Sequence, residues 1–174
     1  MENLNGSLKI LIDHEQIQKR VTELATAIDQ DFKDKDLVIL CVLKGAFIFC
    51  ADLAKNIKSN VDIEFISVSS YGNETVSSGK ISILFESTQD FKNKNVLIVE
   101  DIVDSGLTIH SLLELLQKRG ASEVKVASLL LKREKLKKNI VIDYIGFEIP
   151  DHFVIGYGLD YQGRLRSLPF IGYF

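Results

Sequence analysis

Uninterrupted apolar runs that end abruptly in charge limit what this chain can fold into more than any other feature. LVILCVL (Leu37–Leu43) is seven apolar residues long, and VLIVE (96–100) repeats the pattern before an acidic cluster. A strand wetted on one face alternates apolar and polar residues, so a continuous run needs apolar cover on both faces, as in a parallel sheet. The cover is present. Residues 13–32 place Ile17, Val21, Leu24, Ala25 and Ile28 on one helical face behind Asp13, a suitable N-cap. Residues 46–57 read as a second helix. Residues 107–119 read as a third, with Ile109, Leu112, Leu113 and Leu116 on one face and Gly120 positioned to stop it. VDIEFISVS (61–69), ISILF (81–85) and 124–131 read as further strands, and 144–147 and 153–157 as short ones separated by Pro150. Strands alternating with helices predict an α/β fold with a right-handed, mostly parallel central sheet flanked by helices.

The 174 residues suit a single domain, 1–174, with a full core and no room for a regulatory appendage. With 21 Lys+Arg against 24 Asp+Glu the net charge is −3, which argues against a surface given over to nucleic acid. KREKLKK (132–138) is the one candidate basic patch. Cys41 and Cys50 sit inside apolar runs, without the spacing of a metal or redox motif, and are expected as buried free thiols. The start, MENLNGSLKILIDHE, has neither a basic leader nor a long apolar stretch, and no window is apolar enough to span a membrane. A cytoplasmic protein is expected.

In an open α/β sheet, ligands bind beyond the carboxyl ends of the strands. VLIVEDIVDSGLTI (96–109) ends an apolar strand in Glu100 and Asp101, adds Asp104, and turns through Ser105 and Gly106 into a helix with Thr108 in its first turn. Such a turn aims unpaired backbone N–H groups and the positive end of a helix dipole at one point, which suits a phosphate. Gly106 allows close backbone approach, the Ser105 and Thr108 hydroxyls can donate, and Leu107 offers its amide. Carboxylates beside a bare phosphate would repel it, by roughly 4 kcal/mol for unit charges about 4 Å apart at an effective dielectric of about 20. Sugar hydroxyls or a hydrated Mg²⁺ resolve that conflict, so the pattern asks for a phosphorylated sugar.

This run resembles the phosphoribosyl diphosphate (PRPP) motif of the type I phosphoribosyltransferases, in the Glu-Asp form of the hypoxanthine-guanine branch. VLKGAF around Lys44 and Gly45, SSYGNETVSSG (69–79) and GFEIPDHFVIGYGLDY (146–161) match in chain order, so the likeness spans roughly residues 8–172. It implies the type I phosphoribosyltransferase fold, with a small hood subdomain from the chain ends and a mobile loop. It also implies Mg²⁺-dependent transfer of the phosphoribosyl group from PRPP to N9 of hypoxanthine or guanine. The products are IMP or GMP and pyrophosphate, with purine salvage as the service and a homodimer or homotetramer as the assembly.

The resemblance also assigns residues. Lys44 and Gly45 form the pyrophosphate loop, often with a non-proline cis peptide. Glu100 and Asp101 address the ribose hydroxyls, directly or through Mg²⁺; neighbours on a strand face opposite ways, so only one is expected to touch ligand directly. Asp104 is the general acid/base at purine N7, and Ser105, Gly106, Leu107 and Thr108 cradle the 5′-phosphate. Lys132 donates to the purine 6-oxo group, Phe153 stacks on the base, and Val154 supplies backbone contacts. Asp160 holds the base edge or a second Mg²⁺, which gives Glu100, Asp101 and Asp160 as the metal set, and Arg166 meets the pyrophosphate. Residues 69–79 form the closing loop and bring Ser70 and Tyr71. Two near misses carry nothing here: 72–80 has six residues between glycines where a Walker A loop needs four, and GYGLDY lacks the third glycine of a dinucleotide fingerprint. Xanthine or a pyrimidine as the base, or a PRPP-sensing regulator, are the alternatives; an acidic chain of this length argues against the last.

Overall fold

The computed structural model describes residues 7–70, 81–85 and 88–174. The strands are β1 Lys9–Ile12, β2 Leu37–Leu43, β3 Val61–Ser70, β4 Ile81–Phe85, β5 Asn95–Val103, β6 Glu123–Leu131, β7 Tyr144–Glu148, β8 Val154–Ile155 and β9 Ile171–Tyr173. The helices are α1 His14–Asp31, α2 Phe47–Asn56 and α3 Leu107–Lys118. A six-stranded sheet runs β4-β3-β2-β5-β6-β7, parallel except for β4, and a second sheet runs β1-β9-β8.

Period-two packing explains the apolar runs. Along β2, Leu37, Ile39 and Cys41 face a core shared with α1 and α2, whereas Val38, Leu40 and Val42 face a second core shared with α3. Leu97 and Val99 of β5 join the first core, and Val96 and Ile98 the second. Both cysteines are free and buried, as expected. Leu37 pairs with Val61 on one side and Asn95 on the other, and Asn95 pairs with Glu123. The four central strands therefore start level, and their carboxyl ends emerge together at one rim.

Helix α1 is fixed at its start and again in its second turn. Asp13 and Gln16 form a reciprocal capping box: the Asp13 carboxylate accepts from the Gln16 amide at 2.9 Å, and the Gln16 side chain accepts from the Asp13 amide at 3.0 Å. Farther along, Arg20 donates to the carbonyls of Gly146 at 3.0 Å and Ile145 at 2.7 Å, tying α1 to the edge strand β7.

Three expectations need revision. Strands β1 and β9 were not expected, since three or four residues hold too few alternations to read; they pair with each other, and β9 also pairs with β8. The apolar C-terminus LPFIGYF supplies β9, with Ile171 in the main core, although Phe174 stays exposed. Strand β5 continues past Glu100 and Asp101 to Val103, because Ile102 and Val103 keep pairing with Leu130 and Leu131. The strand expected over 153–157 shrinks to Val154–Ile155, because φ turns positive at Gly156, Tyr157 and Gly158. Among the described residues, no helix is long and apolar enough to cross a membrane. Asp13→Ala should lower the unfolding free energy by about 1 kcal/mol with an unchanged denaturant slope, read from urea melts.

Candidate functional site

The rim gathers the turn after each central strand: residues 44–45 follow β2, 104–106 follow β5 and Lys132 follows β6. The turn after β5 is built for an anion. Gly106 holds φ at 77°, a left-handed value that a β-carbon disfavours; as N-cap it brings no side-chain bond, and the Leu107 amide is met only at 3.4 Å by the Ser105 hydroxyl oxygen. Asp104 is therefore free of the capping duty that such an aspartate often performs. A cavity of about 90 Å³ opens at this helix start, lined by Asp104, Ser105, Gly106 and Thr108, with Glu100 at its inner wall.

A second cavity, of about 230 Å³, adjoins it and shares Ile102 and Asp104 with it. Asp101, Lys132, Phe153, Val154 and Asp160 complete its wall with Leu159. Glu100 and Asp101 thus face different cavities, as the alternation of a strand requires. Burial, then the neighbouring Asp101 charge, pushes the Glu100 carboxyl well above the usual carboxylate range. Its protonated form adds no negative charge beside the anion cavity.

Lys132 belongs to the site and not to the solvated charge run. It is only 8% exposed. Its ammonium donates to Asp151 at 2.9 Å and lies 4.0 Å from Asp104, and Lys135 adds contacts to Asp151 at 3.0 Å and Asp104 at 3.4 Å. The two lysines, Lys132 first, hold the Asp151 carboxyl below its ordinary range. Phe153 behaves oppositely to a core aromatic, being 63% exposed, and its ring meets Tyr161 edge-on at 6.0 Å. An exposed ring on a cavity wall is free to stack on a planar ligand.

The peptide between Leu43 and Lys44 is cis. The next residue is sandwiched. A β-carbon at Gly45 would stand 1.5 Å from Asp101 Oδ2, and one at Gly158 would stand 2.0 Å from the Gly45 carbonyl oxygen. Asp101, the 44–45 turn and the 156–160 turn are thereby stacked in direct contact. Arg166 donates to the Gly158 carbonyl and to Asp160 Oδ1, each at 2.6 Å, while Asp160 Oδ2 accepts from the Gly163 amide at 2.6 Å.

Most of the residues expected in the site thus share one rim. Lys44, Gly45, Leu107 and Arg166 do not line either cavity; Gly45 touches the site through Asp101, and Arg166 through Asp160 and Gly158. Tyr71 lies outside the described residues, as does the side chain of Ser70. Asp151, Lys135, Leu159 and Gly158 were not expected. The position of Asp151, just past β7 at the same rim, was the available signal.

An open, mostly parallel sheet whose strand ends join a helix start to a cavity with a buried lysine and an exposed aromatic ring is the arrangement of an α/β protein suited to a ligand with both a phosphate and a planar ring. The sequence pattern of the phosphoribosyl transferase domain matches residues 7–162. The chain belongs to that family. The hypoxanthine-guanine phosphoribosyltransferase of Bacillus subtilis is 46% identical over 164 residues, covering 94% of this chain and 91% of that protein. The Dictyostelium discoideum protein of the same name is 46% identical over 170 residues, covering 95% and 94%. The crystal structure of a hypoxanthine-guanine phosphoribosyltransferase from Bacillus anthracis matches with a TM-score of 0.92 at 44% identity, covering 95% of this chain and 98% of that one. The fold is that of the type I phosphoribosyltransferases, with the β1-β9-β8 sheet, drawn partly from the chain ends, as its small subdomain.

Gly45→Ala should displace the Asp101 carboxylate, the mobile end of a side chain, and leave the backbone in place. Thermal melting should therefore shift by less than about 3 °C, while initial rates of phosphoribosyl transfer fall about 100-fold through misplacement of a site group.

Proposed function

We propose that the protein transfers the 5-phosphoribosyl group of PRPP to N9 of hypoxanthine or guanine, giving IMP or GMP and pyrophosphate, in purine salvage. The observation that carries this reading is the pair of adjoining cavities that share Asp104: one offers a helix start to a phosphate, the other offers Lys132 and Phe153 to a base. Backbone N–H groups of residues 105–108 hold the 5′-phosphate, with the Ser105 and Thr108 hydroxyls. The 44–45 turn and Arg166 receive the pyrophosphate, and Ser70 and Tyr71 belong to the loop that closes over it. Closure excludes water, which would otherwise capture the ribosyl cation and turn transfer into hydrolysis.

At the base, Phe153 stacks on one face and Val154 offers its backbone to the edge. The Lys132 ammonium donates to the 6-oxo oxygen; it has no acceptor for a 6-amino group, which selects oxopurines. As the bond from N9 to C1′ forms and the bond from C1′ to pyrophosphate breaks, positive charge on the imidazole ring acidifies N7. Asp104 takes that proton. Lys132 and Lys135 stand 4.0 Å and 3.4 Å from its carboxylate, on the side of the cavity where the base enters.

Among the described residues, no three His, Cys, Asp or Glu side chains converge as a ready metal cage. Mg²⁺ in phosphoryl chemistry needs only one or two carboxylates, taking its other oxygens from substrate and water, so the donor set fits. Asp101 and Asp160, on one cavity wall, would hold it, with Glu100 at the neighbouring cavity. When bound, it neutralises the departing pyrophosphate. Both Asp160 oxygens are already engaged, by Arg166 and the Gly163 amide, so a metal there replaces part of that network.

The single-domain reading, 1–174, is supported by one core that joins Ile12, Val154 and Ile171 of the small sheet to Leu97 and Val99 of the large one. Assembly as a homodimer or homotetramer is supported by exposed apolar side chains along the sheet edge, among them Ile63, Phe65 and Phe85.

Initial rates with Mg-PRPP and a panel of bases test the reading. Hypoxanthine and guanine should give IMP and GMP; turnover of uracil without hypoxanthine would refute it. Asp104→Asn should lower kcat by about 100-fold to 10,000-fold with PRPP binding retained by calorimetry. Undiminished turnover would remove Asp104 from its role.

A further inference from the structure

The run Gly156-Tyr157-Gly158 satisfies no dinucleotide fingerprint and lines neither cavity, yet all three of its residues hold positive φ. We infer that Tyr157 is a positioning residue: its hydroxyl, bonded to Asp52 of α2, holds the purine-side turn against the pyrophosphate turn so that both halves of the site keep one spacing. This rests on the proposed reaction.

Three consecutive residues have positive φ, 93° at Gly156, 49° at Tyr157 and 103° at Gly158. A residue with a β-carbon persists in that region only where its surroundings hold it. Here they do. The Tyr157 ring is buried, and its hydroxyl donates to Asp52 Oδ2 at 2.6 Å, a contact 105 residues apart in sequence. Asp52 is itself fixed by Lys55 at 2.6 Å and Gln18 at 3.3 Å. Burial, then the Asp52 carboxylate, pushes the Tyr157 hydroxyl well above the usual phenol range, so it remains a donor.

Both neighbours of Tyr157 are pressed onto backbone. A β-carbon at 156 would meet the Phe170 carbonyl oxygen at 2.1 Å, and one at 158 would meet that of Gly45 at 2.0 Å. Helix α2 begins two residues after Gly45, so the bond from Tyr157 to Asp52 closes a short circuit: 44–45 turn, α2, Tyr157, Gly158, and back to Gly45. Leu159 and Asp160 continue from that circuit into the wall of the larger cavity. Loosening the hydroxyl bond frees Gly158 from Gly45, which alters binding of the pyrophosphate end of PRPP while the reacting groups stay intact.

The test is a double-mutant cycle on Tyr157→Phe, Asp52→Ala and Asp52→Asn, with kinetics, melting and amide exchange. Tyr157→Phe should raise KM for PRPP about tenfold, as loss of one hydrogen bond to a carboxylate allows, with kcat within about twofold. Asp52→Ala should match it, the double variant should be no worse than either, and Asp52→Asn, which keeps an accepting oxygen, should restore KM to within about threefold of the parent. Amide exchange at Gly158 and Leu159 should speed up about tenfold in Tyr157→Phe. A lowered melting temperature with unchanged KM and unchanged exchange would make the contact purely structural and overturn the inference, as would additive effects in the cycle. Failure of the parent protein to convert hypoxanthine would instead sink the proposed reaction, and the exchange measurement would still decide the positioning role.

Discussion

Strands that begin in register end in register, and the site depends on that. β2, β5 and β6 deliver a turn apiece to one rim because apolar cover on both sheet faces fixes every side chain's face and leaves no freedom to slip. With the backbone ends fixed, contacts between turns reduce to what fits between them. The absence of a β-carbon at Gly45 lets the Asp101 carboxylate occupy that space, and the same absence at Gly158 lets a third turn rest on the Gly45 carbonyl. The sheet thus sets the spacing of the turns, and the glycines set how close they come.

The acidic character of the rim is balanced by two physical means. Glu100 is buried, so its neutral form is favoured, and it faces the anion cavity without opposing an anion. Asp104 and Asp151 are matched by Lys132 and Lys135. Asp160 is matched by Arg166. A net charge of −3 is therefore no obstacle to a polyphosphate ligand, because the local arrangement decides the field at the site.

The parts legible in the sequence were those with a period or a strong local rule. The apolar runs read as strands because burial on both faces leaves a compositional trace, and α1 read clearly because its stripe and its Asp13 cap agree. The turn at 104–108 was legible because small residues and acids after an apolar strand have few uses. The short strands β1 and β9 were not, since their stability comes from pairing across the whole chain and not from local preference. Phe153 and Lys132 were ambiguous for a related reason: exposure of an aromatic and burial of a lysine are decided by tertiary neighbours, and only a family resemblance singled these two out.

The 156–158 turn marks the limit of that legibility. Its two glycines suggest a flexible tip, and its tyrosine a core residue, yet the three together form a stretch held by contacts to backbone atoms at positions 45 and 170 and to a carboxylate at position 52. Contacts to carbonyl oxygens impose no side-chain type on the partner, so neither Gly45 nor Phe170 carries a trace of them. What the sequence does record is the requirement for no β-carbon on either side of Tyr157. A glycine read only as conformational freedom is therefore misread here: its function is to remove the atom that would keep two turns apart, and rigidity follows from the contact so permitted.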